Sequence, residues 1–419
     1  MNKHFLLLIF SFSFLVSYAR PYKRASIVKT YRTCMKEKKY TQARQVLIDA
    51  IRQHPEAAAD ASLYRYQCDA INELAVQENR KIYLNAQPDT ARYFQYIYEL
   101  YRAGLQCDST EQNTLHRLHA EGKKAKVKYR SGVGQMLLPY RPNLLSAGKF
   151  HYAKKDYPKA YRYFDLYIQT KSSSLFLDPK GQAFLTDPDD TTPVSVLAVL
   201  SAYGSGHHQG VITYLSESLK DETHESQLLE IGSKAALALG DTATMVQCLQ
   251  QGFAKHPDTE YFLASLTRYY NDRGQYTQAL VALQRITQLR PTHRDYWYMM
   301  GQEQLLLQQY EEAIRTFQKC IEIQADDAAS HASLGNIYLH QAHEAYAQFN
   351  LPLSHPDYAR RKAAITERYA QSCKAFEQAR KFDENNPALW LQGLRETYFK
   401  LNRGRELRRL EQYQKNLKK

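Results

Sequence analysis

Two stretches of the chain, Glu260–His293 and Arg294–Asp327, superpose with an offset of 34 residues: Leu266 falls on Met300, Tyr276 on Tyr310, Ala279 on Ala313 and Leu283 on Phe317. A repeat of that length holds one pair of helices that cannot bury its apolar face alone, so neighbouring copies must stack into a solenoid. A stack shares its core along its whole length instead of enclosing one reaction centre. With 17 Gly and 14 Pro in 419 residues and 44% hydrophobic residues, the composition suits such an array and argues against a β-rich or disordered chain. The 33 Tyr are numerous; in stacked helices most are expected as spacers with the ring inside and the hydroxyl at the surface.

Numbered from the start of each copy, Glu260–His293 carries Leu263, Leu266, Tyr270, Gly274, Tyr276, Ala279, Leu283 and Pro291 at places 4, 7, 11, 15, 17, 20, 24 and 32. Arg294–Asp327 carries Trp297, Met300, Gly301, Tyr310, Ala313, Phe317 and Cys320 at places 4, 7, 8, 17, 20, 24 and 27. This pattern resembles the tetratricopeptide (TPR) family. The resemblance implies an all-α fold, a right-handed helical solenoid of roughly eight to ten α-hairpins. Small residues at places 8 and 20 let helices approach, the aromatic at place 24 fills the gap, and Pro at place 32 stops the second helix. Further copies read at Arg24–Ala57, Arg141–Ser174, Thr192–Glu225 and Ser226–Thr259, and a last one opens near Pro387. Between the first two, Ser62–Asn85 and Thr90–Ala103 have helical periodicity without the full pattern, and Ser109-x-x-Gln112 reads as a capping box that starts another helix.

Two departures shape the expected organisation. The copy from Ala328 opens with Leu334, Gly335 and Tyr338, but its second half, Tyr369, Phe376 and Ala379, comes 25 residues late. An extended hairpin over about 328–386 is expected, with Pro352 and Pro356 at its tip. The Asp-Pro-rich stretch 175–191 reads as an interrupting loop between an N-terminal array, 20–174, and a C-terminal array, 192–419.

Residues 1–19 read as a signal peptide: Lys3, an apolar run Phe5–Val16, and small residues at Ser17 and Ala19 before Arg20. The run is too short for a membrane span, which needs about 20 residues. The expectation is an exported protein, soluble or peripherally attached to the envelope, in the periplasm of a Gram-negative bacterium. Its six cysteines, Cys34, Cys68, Cys107, Cys248, Cys320 and Cys373, have no metal-ligand spacing and are expected as buried free thiols.

No phosphate loop, HExxH, dinucleotide motif or nucleophile elbow occurs in the sequence. No catalytic residue, metal or cofactor is therefore expected. His207-His208 falls in the turn of a degenerate copy and reads as solvated. The charge of +13 is more informative. Lys123, Lys124, Lys126, Lys128 and Arg130 form a basic patch ahead of what reads as a Gly132/Gly134 loop. Such runs attract polyanions, and export makes nucleic acid an improbable one.

The resemblance also places residues 2, 5, 9, 12 and 13 of each copy in a concave groove. Place 9 reads Arg32, Lys149, Leu200, Lys234, Arg268, Gln302, Asn336 and Arg395, with no acid among them; place 12 adds Tyr152, Tyr203 and Tyr398, and place 5 adds Tyr298. Cations interleaved with aromatics could hold an extended, acidic partner peptide through charge-assisted bonds. The Lys/Asn arrangement of the family's carboxylate-clamp members is not reproduced. The resulting expectation is a non-enzymatic scaffold for protein–protein interactions. The alternative is a module for anionic glycan or lipid headgroups that binds through the basic patches.

Overall fold

The computed structural model describes residues 22–84, 87–177, 182, 185 and 190–417, and no β-strand occurs among them. The expected signal peptide, 1–19, lies outside the described residues, as does most of the expected loop 175–191. The chain forms two compact units, divided after Leu228.

The first unit opens with the hairpin α1 (Arg24–Lys36) and α2 (Tyr40–Gln53), followed by one turn, α3 (Pro55–Ala58). Two longer helices follow, α4 (Ala61–Tyr83) and α5 (Thr90–Ala120), packed against each other, with α4 also against α2. Next come a short helix, α6 (Arg130–Leu137), and the hairpins α7 (Arg141–Ala153) with α8 (Tyr157–Lys171) and α9 (Thr192–Gly204) with α10 (His208–Ser218). Helices α8 and α9 pack together, so the stack continues across 175–191. Leu175 and Phe176 are themselves buried in its core.

Two sequence expectations fail in this unit. Ser109 starts no helix: α5 runs unbroken for 31 residues, capped by Asp89, whose carboxylate accepts from the Arg92 amide. Thr110 and Glu111 are buried inside it. Nor do Gly132 and Gly134 form a loop, since both lie in α6. A Cβ on Gly134 would sit 1.9 Å from the Leu175 carbonyl oxygen, so only glycine admits that approach.

The division falls within α11 (Glu225–Ala238), and the second unit continues with α12 (Thr242–Lys255), α13 (Glu260–Asn271), α14 (Tyr276–Leu289), α15 (Arg294–Leu306), α16 (Tyr310–Ile323), α17 (Ala328–Ala347), α18 (Tyr358–Phe382), α19 (Leu391–Lys400) and α20 (Gly404–Leu417). From α12 to α20 each helix packs on its successor or closes a hairpin with it. Phe317 lies on Gly301 within one hairpin and Phe376 on Gly335 within the next, in each case with an added glycine Cβ under 3.0 Å from the ring. The first unit repeats the contact with Phe164 on Gly148. Place 24 thus fills the notch that place 8 leaves, and both rings are fully buried in the stack.

One turn closes the hairpins. Lys38, Lys155, Gly206, Gly240, Gly274 and Gln308 all have φ between 58 and 74° and stand at place 15. The next amide donates back to the place 11 carbonyl, as from Lys39 to Cys34, Asp241 to Ala236 and Gln309 to Gln304. This six-to-one bond satisfies a helix-end carbonyl. The same turn occurs at Asn402 (φ 53°), where Arg403 donates to the Tyr398 carbonyl. It fixes the last copy one residue later than the sequence pattern suggested, from Ala388. Ala342 occupies place 15 of the copy from Ala328, without that turn, and α17 runs on to 20 residues with α18 at 25. Their neighbours α15 and α16 have 13 and 14, so the pair projects as a finger roughly two to three turns long at 5.4 Å per turn.

Candidate functional site

The sequence-selected groove residues divide by what surrounds them. Arg32 and Lys149 in the first unit, and Arg268, Asn336 and Arg395 in the second, are exposed. Lys149 borders a cleft of about 330 Å³ whose wall also holds Arg141 and Lys171. Arg141 is fully buried, its guanidinium 4.0 Å from the Tyr167 ring centre and bonded to the Tyr167 carbonyl at 3.0 Å. Burial pulls its pKa down. Lys234 is half-buried and already engaged, with its ammonium 2.5 Å from Glu230 and 4.9 Å from the Tyr261 ring.

Among the aromatics, Tyr203 is exposed and Tyr152 half-buried against the edge of Tyr157. Tyr298 packs edge-on against Phe317, under the Arg294 guanidinium, and is half committed to its hairpin. Tyr398 is a correction. It is 6% exposed and its hydroxyl donates to Glu377 at 3.1 Å, because the register set at Asn402 puts it at place 11, a core position. The same shift puts Glu396, not Arg395, at place 9, where it pairs with His343 at 2.6 Å. The row at place 9 therefore does contain an acid.

The structure adds residues that the charge argument passed over. Leu237 and Phe399 stand at place 12 and Leu306 at place 13, with exposures of 65%, 67% and 56%. Each is a large apolar side chain left in water at the end of a first helix, the same end that bears Tyr203. The signal was present in the sequence, since places 12 and 13 belong to the groove pattern, but only tyrosines are read from them there.

The basic patch is a non-helical strap from Lys123 to Tyr129, fastened at its ends, with Arg130 opening α6. Glu111 accepts the Lys128 and Tyr129 amides at 2.7 and 3.0 Å, Asp108 accepts from Arg130 Nε at 2.7 Å, and Lys123 pairs with Glu121. Lys124, Lys126 and Lys128 remain exposed, with the Lys128 ammonium 5.1 Å from the Tyr129 ring. His207 caps α10, its Nδ1 accepting from the Gly210 amide at 3.0 Å. Among the described residues no group of His, Cys, Asp and Glu is placed to hold a metal, and no helix is long and apolar enough to cross a membrane.

Residues 233–320 match the family model described as anaphase-promoting complex, cyclosome, subunit 3. No curated protein matches the sequence. Among solved structures the chain is similar to MamA AMB-1, at 15% identity over 47% of this chain and 94% of that one, TM-score 0.34. It is similar to the C-terminal part of a TPR repeat-containing protein from Cytophaga hutchinsonii, at 14% identity over 63% and 90%, TM-score 0.38. It is also similar to YrrB, described as a TPR protein with an unusual peptide-binding site, at 14% identity over 47% and 89%, TM-score 0.32. Hairpins closed by one recurring turn and a place 24 aromatic seated on a place 8 glycine make the fold a helical solenoid of the tetratricopeptide type, with 233–320 the segment that matches the family model.

Proposed function

We propose that the protein is an exported, non-enzymatic scaffold that holds segments of partner proteins on the first helices of its hairpins. Proteins of this repeat type mediate protein–protein interactions. The observation that carries the finer reading is the exposed apolar set at places 12 and 13, Leu237, Leu306 and Phe399, with Arg268 and Asn336 exposed at place 9 of the intervening copies. Apolar anchors beside a cation suit a peptide that carries both large side chains and carboxylates. Export rests on the signal-like residues 1–19 alone. Capture from envelope extract on the immobilised mature chain tests the reading: Arg268→Glu with Phe399→Glu should lose the partners that the parent retains. Equal recovery by both would remove it. Periplasmic fractionation, with an N-terminus at Arg20, tests the location.

A second reading, binding of anionic glycan or lipid headgroups, draws on the strap. Its fastening to buried Glu111 and Asp108 holds Lys124, Lys126 and Lys128 in place, so less side-chain and backbone freedom is lost on meeting a polyanion. Salt separates the readings, because charge-only binding collapses towards physiological ionic strength and apolar anchoring does not.

A further inference from the structure

The finger exposes a face that the rest of the stack would cover. Along its second half α18 packs against α19, with Cys373 and Phe376 buried and Glu377 bonded to Tyr398 and Arg403. Along its first half the same side of the helix runs past the end of α19 and lies open. A groove of roughly 660 Å³ follows it, with Tyr358, Ala359, Ala363, Thr366 and Ala370 along the floor and Leu353 of the tip at one end. Leu353 is 80% exposed. From Tyr358 to Ala370 the floor is about 18 Å long at 1.5 Å per residue. The alanines offer no side chain to hold a second helix away, so one can approach to the 8–10 Å of ordinary helix packing.

Charge selects the occupant. Lys362 lies on the groove with its ammonium 5.7 Å from the Tyr358 ring, and Lys400 sits beside Tyr369, the chain neighbour of Ala370 at the groove's other end, 5.9 Å from that ring and 4.9 Å from Tyr346. Neither lysine has a carboxylate partner among the described residues. Only Glu367 on the groove opposes them. We infer that the finger docks an acidic amphipathic α-helix of a partner protein, about three to four turns long. Its apolar ridge lies over Ala359, Ala363 and Ala370, and its carboxylates meet Lys362 and Lys400. This surface is separate from the inner-face reading above and stands without it.

The test uses a stapled synthetic helix with leucines at i, i+4, i+7 and i+11 and glutamates on both flanks, labelled for anisotropy, together with a twin in which lysines replace the glutamates. The full mature chain should bind the acidic peptide saturably and the twin at least tenfold more weakly. Ala363→Arg should abolish binding, while Ala364→Arg, also exposed but on the far side of α18, should leave it unchanged and serves as the folding control. Absence of saturable binding, equal binding of the twin, or equal loss in both variants would overturn the inference. So would self-association of the parent chain in sedimentation velocity that Ala363→Arg removes, which would make a second copy the occupant.

Discussion

Arg294 and Asp327, at the start of one copy and the end of it, form a two-pronged ion pair, with Arg294 Nε donating to Asp327 Oδ2 at 2.6 Å. Asp327 also caps α17, accepting from the Ser330 amide and hydroxyl. The first unit repeats the device: Arg24 donates to Asp60 at 2.6 Å, and Asp60 caps α4 through Ser62. Each pair ties the first helix of a hairpin to the N-terminus of the helix that begins the next element.

This relationship gives a pH dependence. Burial works against the ionised form of Asp327, but the bonds from Arg294 and Ser330 outweigh it and hold its carboxyl below the usual aspartate range. A depressed carboxyl adds stability above the unfolded pKa, near 4, and that stability is lost as the pH falls through the lower folded value. Acid titration of the parent should show this loss, and Asp327→Asn should flatten it. At pH 7 that variant should cost about 1–3 kcal/mol in urea unfolding, because a charged bond is lost and Arg294 is left half-buried.

The seating of Phe376 gives a second expectation. Its ring touches Gly335 of its own hairpin and Gly393 of the next, where an added Cβ would lie 2.9 and 2.2 Å away. Phe376→Ala should cost about 3–5 kcal/mol in the transition that includes the C-terminal hairpins. Gly393→Val should also destabilise, since the ring has no room to retreat. Both are measured by thermal and urea unfolding.

The recurring turn predicts a gain. Gln308 and Asn402 hold φ of 58 and 53°, where a side chain is strained and glycine is not. Gln308→Gly should stabilise by about 0.5–1 kcal/mol, whereas Gly274→Val, at φ 67°, should lose at least as much. A stability change of the opposite sign at either site would contradict the turn.

Much of the stack was legible because its contacts are local and periodic: Gly301 with Phe317, Gly274 at its turn, Pro291 after α14. The misreadings have a physical cause. Asp108 and Glu111 place carboxylates in the middle of α5 because they hold Arg130, Lys128 and Tyr129, partners about twenty residues away. Ser109 and Gln112, lying beside them, then match a capping box by spacing although the helix runs through both. The last copy was misplaced because a 3-10 turn, Pro387–Leu389, precedes α19 and brings Trp390 forward to where an ordinary copy has its first bulky residue. Tyr398 then counted as a surface residue when it is core. The repeat register puts Leu306 and Phe399 on groove places but does not say how far each is exposed, since exposure depends on where the adjacent hairpin ends.

The thiols give a further expectation. All six cysteines are buried and unpaired with one another. Burial pushes the Cys107 thiol up to about 12 and those of Cys248, Cys320 and Cys373 to about 11. Since the thiolate is the reactive form, the folded protein should resist iodoacetamide at pH 8, and all six should label in urea. Rapid labelling of any of them in the native state, read by mass spectrometry, would place that side chain in solvent.

Ala342 stands where its counterparts turn the chain at a positive φ, and the helix simply continues through it. Beyond that point α17 and α18 lean mainly on one another, so whole turns could be added to both or trimmed from both while Phe376 and Gly335 keep their seats. The protrusion is then an adjustable arm on a fixed frame, free to change its reach and its end without retuning the ladder beneath.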